Sequence, residues 1–357
     1  MTSDIIRPEI QALASYHVQN ATGLIKLDAM ENPFAFPESL HAGLTHALAA
    51  ATLNRYPSPG AEDVKRAIRD AMDIPPELDI LLGNGSDEII QLITMAVAKP
   101  GACMLSVEPA FVMFRMIATF CGLRYIGVSL LTDFGLNLHG ILGAIEREQP
   151  AVIFIAYPNN PTGNLFDRAS IRKIIAAAGK YGGLVVIDEA YFAFARESFL
   201  DEIATHPNAV LMRTVSKLGL AGIRLGMLIG RGDWLMQFDK LRLPYNINAL
   251  TQAAAIFAMQ HYDLLLRQTE ILKAERTRVS AHLDRIAGIQ RFPSEANFIL
   301  VRVTDAGQTF EHLLSRKILV KNMSASHPLM VNTLRLTVGT PAENDALIAA
   351  LQDSIRS

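Results

Sequence analysis

Short apolar runs rich in β-branched residues recur from residue 79 onward, and most are followed by a turn signal and then a stretch with helical spacing. The runs are DILLG ending at Gly83, ACMLSV at Val107, RYIGVSL at Leu130, AVIFIA at Ala156, GLVVID at Asp188, AVLMRT at Thr214 and IRLGMLIG at Gly230. Strand and helix patterns in alternation define an α/β chain, here with one mostly parallel sheet of seven strands. Several runs are apolar throughout, as expected of strands covered by helices on both faces. Between two of them, SIRKIIAAAGKYGG places Ile171, Ile174, Ile175 and Ala178 on one helical face, with Ser170 as N-cap and Gly182 as the stop.

After Pro244 the texture changes. Residues 249 to 285 read as one long helix, and NFILVRV, KILVKNM and TLRLTVG add three short strands before a last helix near ENDALIAALQDSI. The expected organisation is therefore an arm over residues 1–40, punctuated by Pro8, Pro33 and Pro37 and joining a small α+β unit at 246–357, with a large unit over 41–245 between them.

Composition narrows the function. The 357 residues carry 33 basic and 35 acidic side chains with no run of like charge, which gives no support to a nucleic-acid or membrane partner and favours a small-molecule ligand. The start lacks the basic and apolar stretches of a signal peptide, and no apolar run approaches membrane-spanning length, so a cytoplasmic location is expected. Cys103 and Cys121 have no CxxC spacing and the nine histidines form no metal-binding pattern, so no metal is expected.

In an open α/β sheet, ligands bind beyond the carboxyl ends of the strands. After the first strand, GNGSDE reads as a capped helix start with Ser86 as N-cap. It also presents amides near Ser86 and Asp87 where a phosphate binds well. Phe111 follows the second strand and, judged alone, reads first as a core residue, though an aromatic at a strand exit could also stack on a flat ring. YPNNPTG after the fourth strand holds Asn160, whose amide could donate to a ligand oxygen. Asp188 ends the fifth strand after four apolar residues and suits either a helix N-cap or a buried charge with a cationic partner. The sixth strand leads through Thr214 and Ser216 to Lys217, with Arg224 seven positions on.

Together these residues suit pyridoxal 5'-phosphate. Asp188 would pair with the pyridine nitrogen, Asn160 and Tyr191 would bond the ring oxygen, and Phe111 would stack on the ring. The amides at Ser86 and Asp87, with Thr214, Ser216 and Arg224, would hold the phosphate, and Lys217 would be the covalent anchor and general acid/base.

YPNNPTG, VIDEAY, SK followed by GIRLG, and LRLTVG, in this order over residues 16 to 350, resemble the fold type I aminotransferases that depend on pyridoxal phosphate. Tyr16 before LDAMENPF, NRYP around Tyr56, GSDE and TLRLTVGTPAEND are most similar to the branch that acts on histidinol phosphate. The resemblance implies ping-pong amino transfer between L-histidinol phosphate and 2-oxoglutarate, with imidazole acetol phosphate and glutamate as the partners in the biosynthetic direction. It implies that Arg335 grips the substrate's α-group, that Tyr16 and Lys321 meet its side-chain phosphate, and that Tyr56 reaches the cofactor phosphate of a second subunit in a homodimer. Met30 stands where relatives often have asparagine, Lys321 where some have arginine, and Arg224 follows Lys217 one residue sooner than in several relatives. Relatives of the same fold that transaminate aromatic amino acids, or decarboxylate phosphothreonine, share the cofactor residues.

Overall fold

The computed structural model describes residues 5–15 and 18–356. A two-residue strand, β1 (Ile25–Lys26), precedes the seven apolar runs. These become β2 (Asp79–Gly83), β3 (Cys103–Glu108), β4 (Arg124–Ser129), β5 (Val152–Ala156), β6 (Leu184–Asp188), β7 (Ala209–Thr214) and β8 (Gly226–Gly230). They form one sheet in the order β2-β8-β7-β6-β5-β3-β4. β8 runs antiparallel to β2 and β7, and the other neighbours pair in parallel.

Strand geometry sends successive side chains to opposite faces, and here both faces are buried. Val152, Phe154 and Ala156 of β5 enter one core while Ile153 and Ile155 enter the other; in β6, Leu184 and Val186 oppose Val185 and Ile187 in the same way. This explains runs that are apolar without alternation.

The later strands are β9 (Gln290–Arg291), β10 (Phe298–Arg302), β11 (Ile318–Leu319), β12 (Lys321–Asn322) and β13 (Thr333–Thr337). The segment KILVKNM is thus two strands and not one. β11 pairs in parallel with β1, whereas β12 pairs antiparallel with β13 in a separate sheet of order β12-β13-β10-β9. The N-terminal segment is held there further by the Thr337 amide, which donates to the Leu27 carbonyl at 3.0 Å.

Three local expectations differ from the structure. The expected long helix is divided into Ala249–Gln260 and Tyr262–Leu283, because His261 leaves the helical region at φ −117°, ψ 29°. The first of these helices packs on Glu38–Ala49 and Glu62–Ala71. The crossover helix is Arg168–Gly179 and its N-cap is Asp167, whose carboxylate accepts from both the amide and the hydroxyl of Ser170 at 2.8 Å. Ser86 is the first residue of its helix, and Gly85 at φ 81° is the N-cap, since the turn needs a positive φ there.

Behind the edge where β6 ends, Glu189 is fully buried and held on every side. Its carboxylate accepts from Arg213 Nε at 3.0 Å and Nη2 at 2.9 Å, from Ser198 Oγ at 2.9 Å and from the Phe199 amide at 2.6 Å. Removing one partner of such a pair leaves a buried charge uncompensated. Arg213→Ala should therefore lower stability by about 3–5 kcal/mol, read as a drop in the urea unfolding midpoint; a loss under about 1 kcal/mol would show that the pair carries no such weight.

Candidate active site

Parallel strands all end at one edge of the sheet, so the loops after β2, β3, β5, β6 and β7 converge there. β8 runs the other way and therefore begins at that edge, which brings Arg224 in from the opposite direction.

Two glycines let these loops meet. Gly83 of β2 pairs with Gly226 of β8, and a Cβ on Gly226 would lie 2.6 Å from the Ser86 nitrogen. A Cβ on Gly85 would lie 2.3 Å from Arg224 Nη2. Without side chains there, the start of the helix Ser86–Val97 sits against the guanidinium, and Arg224 Nη2 comes within 3.7 Å of Asp87 Oδ2. Arg224 Nη1 also donates to Ser216 Oγ at 3.4 Å, and Ser216 Oγ and Thr214 Oγ1 are hydrogen-bonded at 2.9 Å. Helix-terminal amides, hydroxyls and a guanidinium in one place form a cradle for a phosphate.

Beside the cradle lies a cavity of about 110 Å³ lined by Met30, Ser86, Asp87, Phe111, Asn160, Asp188, Tyr191, Thr214, Ser216, Lys217 and Arg224, among others. Asp188 is 5% exposed, and its Oδ1 accepts from the Ala190 amide at 3.0 Å. Burial without a cation in contact pushes its carboxyl up to about 7. Lys217 donates from Nζ to the Ala29 carbonyl at 3.1 Å and stands 6.0 Å from the centre of the Tyr191 ring. Burial first, and then the Arg335 guanidinium, draws the Lys217 ammonium down to about 8. Burial raises Asp87 as well, against the opposing effect of Arg224.

A second cavity of about 470 Å³ shares Met30, Phe111 and Asn160 with the first and continues toward Arg335, Lys321, Arg115 and His327. Arg335 Nη1 donates to Asn160 Oδ1 at 2.6 Å and Nη2 to the Asp28 carbonyl at 2.8 Å. Lys321 lies directly across from Arg335 in the β12–β13 pair, so both side chains leave the sheet on the same face.

The structure thus gathers Ser86, Asp87, Phe111, Asn160, Asp188, Tyr191, Thr214, Ser216, Lys217 and Arg224 around one cavity, and Lys321 and Arg335 around its neighbour. Tyr56 lines neither; it is 80% exposed and stacks on Tyr245 with ring centres 4.4 Å apart. Tyr16 lies outside the described residues. Among the pocket residues that carry no site expectation from sequence are Arg115, His327 and Met30. Arg115 pairs with Glu108 and covers the Tyr125 ring at 4.5 Å. His327 accepts from the Leu329 amide at 3.1 Å. Met30 was distinguished only as an unusual residue for its position.

The sequence profile of the aminotransferase class I and II family matches residues 22–351. The chain belongs to the class I and II aminotransferase family. A histidinol-phosphate aminotransferase 2 of Cupriavidus pinatubonensis is 49% identical over 98% of this chain and 97% of its own. A histidinol-phosphate aminotransferase of Chromobacterium violaceum is 52% identical over 98% and 97%. Among solved structures, the histidinol-phosphate aminotransferase of Sinorhizobium meliloti in complex with pyridoxal-5'-phosphate superposes with a TM-score of 0.85 at 26% identity, covering 98% of this chain and 97% of that one. An aminotransferase needs one amine that can lose its proton and one carboxylate beside a cationic heterocycle, and the cavity holds a single lysine and a single deeply buried aspartate.

The two shifts predict a pH profile for the cofactor-free chain. Folding raises the proton affinity of Asp188 from the usual 3.8 to about 7. The folded state then binds more protons than the unfolded one across that window, and stability falls as pH rises through it. Lys217 acts with the opposite sign: between about 8 and its usual 10.5 the unfolded state binds more protons, so stability rises with pH. Urea unfolding from pH 4 to 10 should show both slopes, with Asp188→Asn flattening the first and Lys217→Met the second. Unchanged slopes in the variants would contradict the assignment.

Proposed function

We propose that this aminotransferase transfers the amino group between L-histidinol phosphate and 2-oxoglutarate, forming imidazole acetol phosphate and glutamate or the reverse, with pyridoxal 5'-phosphate as cofactor. The observation that carries the reading is the pairing of a phosphate cradle and an uncompensated buried Asp188 with a neighbouring cavity that has cations at Arg335 and Lys321.

The residues fit the cofactor. A protonated pyridine nitrogen would give the buried Asp188 carboxylate a positive partner, and the glycine-lined cradle would hold the phosphate. When bound, pyridoxal phosphate supplies an electron-withdrawing ring that stabilises the negative charge left on a substrate carbon after loss of its proton. The chain's own groups do the rest. Lys217 would anchor the cofactor, and its amine, which burial and then Arg335 draw below the usual lysine range in the chain alone, would take the substrate's α-proton and return it. Tyr191 and Asn160 orient the ring oxygen, and Phe111 bounds the ring face. Arg335 receives the α-group of the substrate, a carboxylate in glutamate or a hydroxymethyl in histidinol phosphate. Lys321 and Tyr16 meet the side-chain phosphate.

The same reading includes a homodimer. Leu53, Tyr56 and Leu243 are 73%, 80% and 73% exposed. A surface of this kind is suited to cover by a second copy, with Tyr56 completing the partner's phosphate site. No helix among the described residues is long and apolar enough to cross a membrane, and a cytoplasmic location is part of this proposal.

Three measurements test this. Steady-state kinetics with L-histidinol phosphate and 2-oxoglutarate should be ping-pong; turnover of phenylalanine alone, or carbon dioxide from phosphothreonine, would move the function to a relative of the same fold. Lys217→Ala should lose at least about 10³-fold in turnover, and near-normal activity would remove the central residue. Lys321→Ala should raise KM for histidinol phosphate about tenfold, as expected for a lost charge-assisted bond, and leave the glutamate half-reaction unchanged; equal effects on both would place Lys321 elsewhere.

A further inference from the structure

Met30 is held in an unusual conformation at the boundary of the two cavities. Its φ of 55° is left-handed, where a non-glycine residue stays only when its surroundings hold it. Here the surroundings are two buried hydrogen bonds: the Met30 amide donates to Thr337 Oγ1 at 3.0 Å, and its carbonyl accepts from Asn297 Nδ2 at 2.8 Å. The carbonyl just before it, that of Ala29, accepts from Lys217 Nζ. The backbone is thus pinned from both sides. The side chain, 8% exposed, lines both the cofactor cavity and the substrate cavity.

What the side chain does there is accept a hydrogen bond. The Tyr191 hydroxyl donates to Met30 Sδ at 3.1 Å, while the Tyr191 ring packs edge-on against Phe298 with centres 5.2 Å apart. A thioether is a weak acceptor and no donor. It can hold the Tyr191 hydroxyl facing the cavity without competing for the ligand's own acceptors. Because the bond is weak, the hydroxyl can pass to a ligand oxygen with little loss.

The geometry points to Met30 as a positioning residue that acts through Tyr191: its thioether presets the Tyr191 hydroxyl for the cofactor's ring oxygen and forms the wall between cofactor and substrate. This rests on the aminotransferase reading of the site for the role of Tyr191. It is tested by cofactor binding, a readout independent of which substrate the enzyme takes.

The experiment is a double-mutant cycle on the full chain. Dissociation constants for pyridoxal phosphate, and the pH midpoint of the bound cofactor's visible band, are measured for wild type, Met30→Leu, Tyr191→Phe, the double variant and Met30→Gln. Met30→Leu keeps the volume and leaves the hydroxyl free to turn; it should weaken cofactor binding roughly 2- to 10-fold, the cost of ordering one freed side-chain group, and shift the midpoint. In the Tyr191→Phe background the same change should alter binding less than about twofold, because the coupled partner is already gone. Met30→Gln retains an acceptor and should stay within about twofold of wild type. Equal weakening by Met30→Leu in both backgrounds, no weakening in either, or Met30→Gln as weak as Met30→Leu would each overturn the proposal. A wild type that binds cofactor but does not turn over histidinol phosphate would overturn the substrate reading and leave this cycle decided on its own terms.

Discussion

Two carboxylates stand side by side at the end of β6 and meet opposite fates. Glu189 turns back into the protein, where Arg213, Ser198 and the Phe199 amide neutralise and satisfy it. Asp188 turns to the ligand edge and finds one backbone amide. The first arrangement stabilises the turn, and the second leaves a charge that the fold alone does not compensate. A site so built favours an occupant that brings the missing cation, and every other group on that edge is disposed around the same occupant. The parallel sheet makes this possible because it delivers five loops to one edge, while the reversed β8 adds Arg224 from the far side.

The substrate cavity follows a related logic on the smaller sheet. Arg335 and Lys321 are direct cross-strand partners, and like charges so placed repel unless something lies between them. Asn160 and the Asp28 carbonyl take up part of the Arg335 guanidinium. An anionic substrate would add a further contact. Asn160 belongs to the loop after β5, so the contact between Asn160 and Arg335 also ties the large sheet to the small one across the site. Substrate entering that contact would act on the relation of the two sheets as well as on its own binding.

Six strands of the large sheet were legible because a buried strand must be apolar on both faces, which leaves a plain mark in the sequence; the part-buried edge strand β4 was legible only from its β-branched and aromatic residues. Helix ends were less so. Asp167 caps its helix from three residues before Ser170, and both are acceptable caps in isolation. The break at His261 left no trace, since the periodicity on either side is nearly in phase. KILVKNM reads as one strand because composition carries no information about partners, and its two halves pair with different ones. Within the site, the strand-end residues could be picked out because topology sends them to one edge. Met30 and His327 could not, because each enters from a segment whose place depends on long-range packing, and Arg115 could not, because strand topology does not say which face of the helix after β3 meets the cavity. Tyr56 sits outside both cavities, exposed and stacked on Tyr245, where no strand end points to it.

The central claim is that Lys217, Asp188 and the phosphate cradle form an amino-transfer site whose substrate is histidinol phosphate. The most direct test is a half-reaction on the cofactor-loaded enzyme with L-histidinol phosphate and no keto acid. The account predicts loss of the cofactor's visible band in one turnover, and its return on adding 2-oxoglutarate, with one glutamate formed per site. A band unmoved by histidinol phosphate, but bleached by another amino donor, would contradict it.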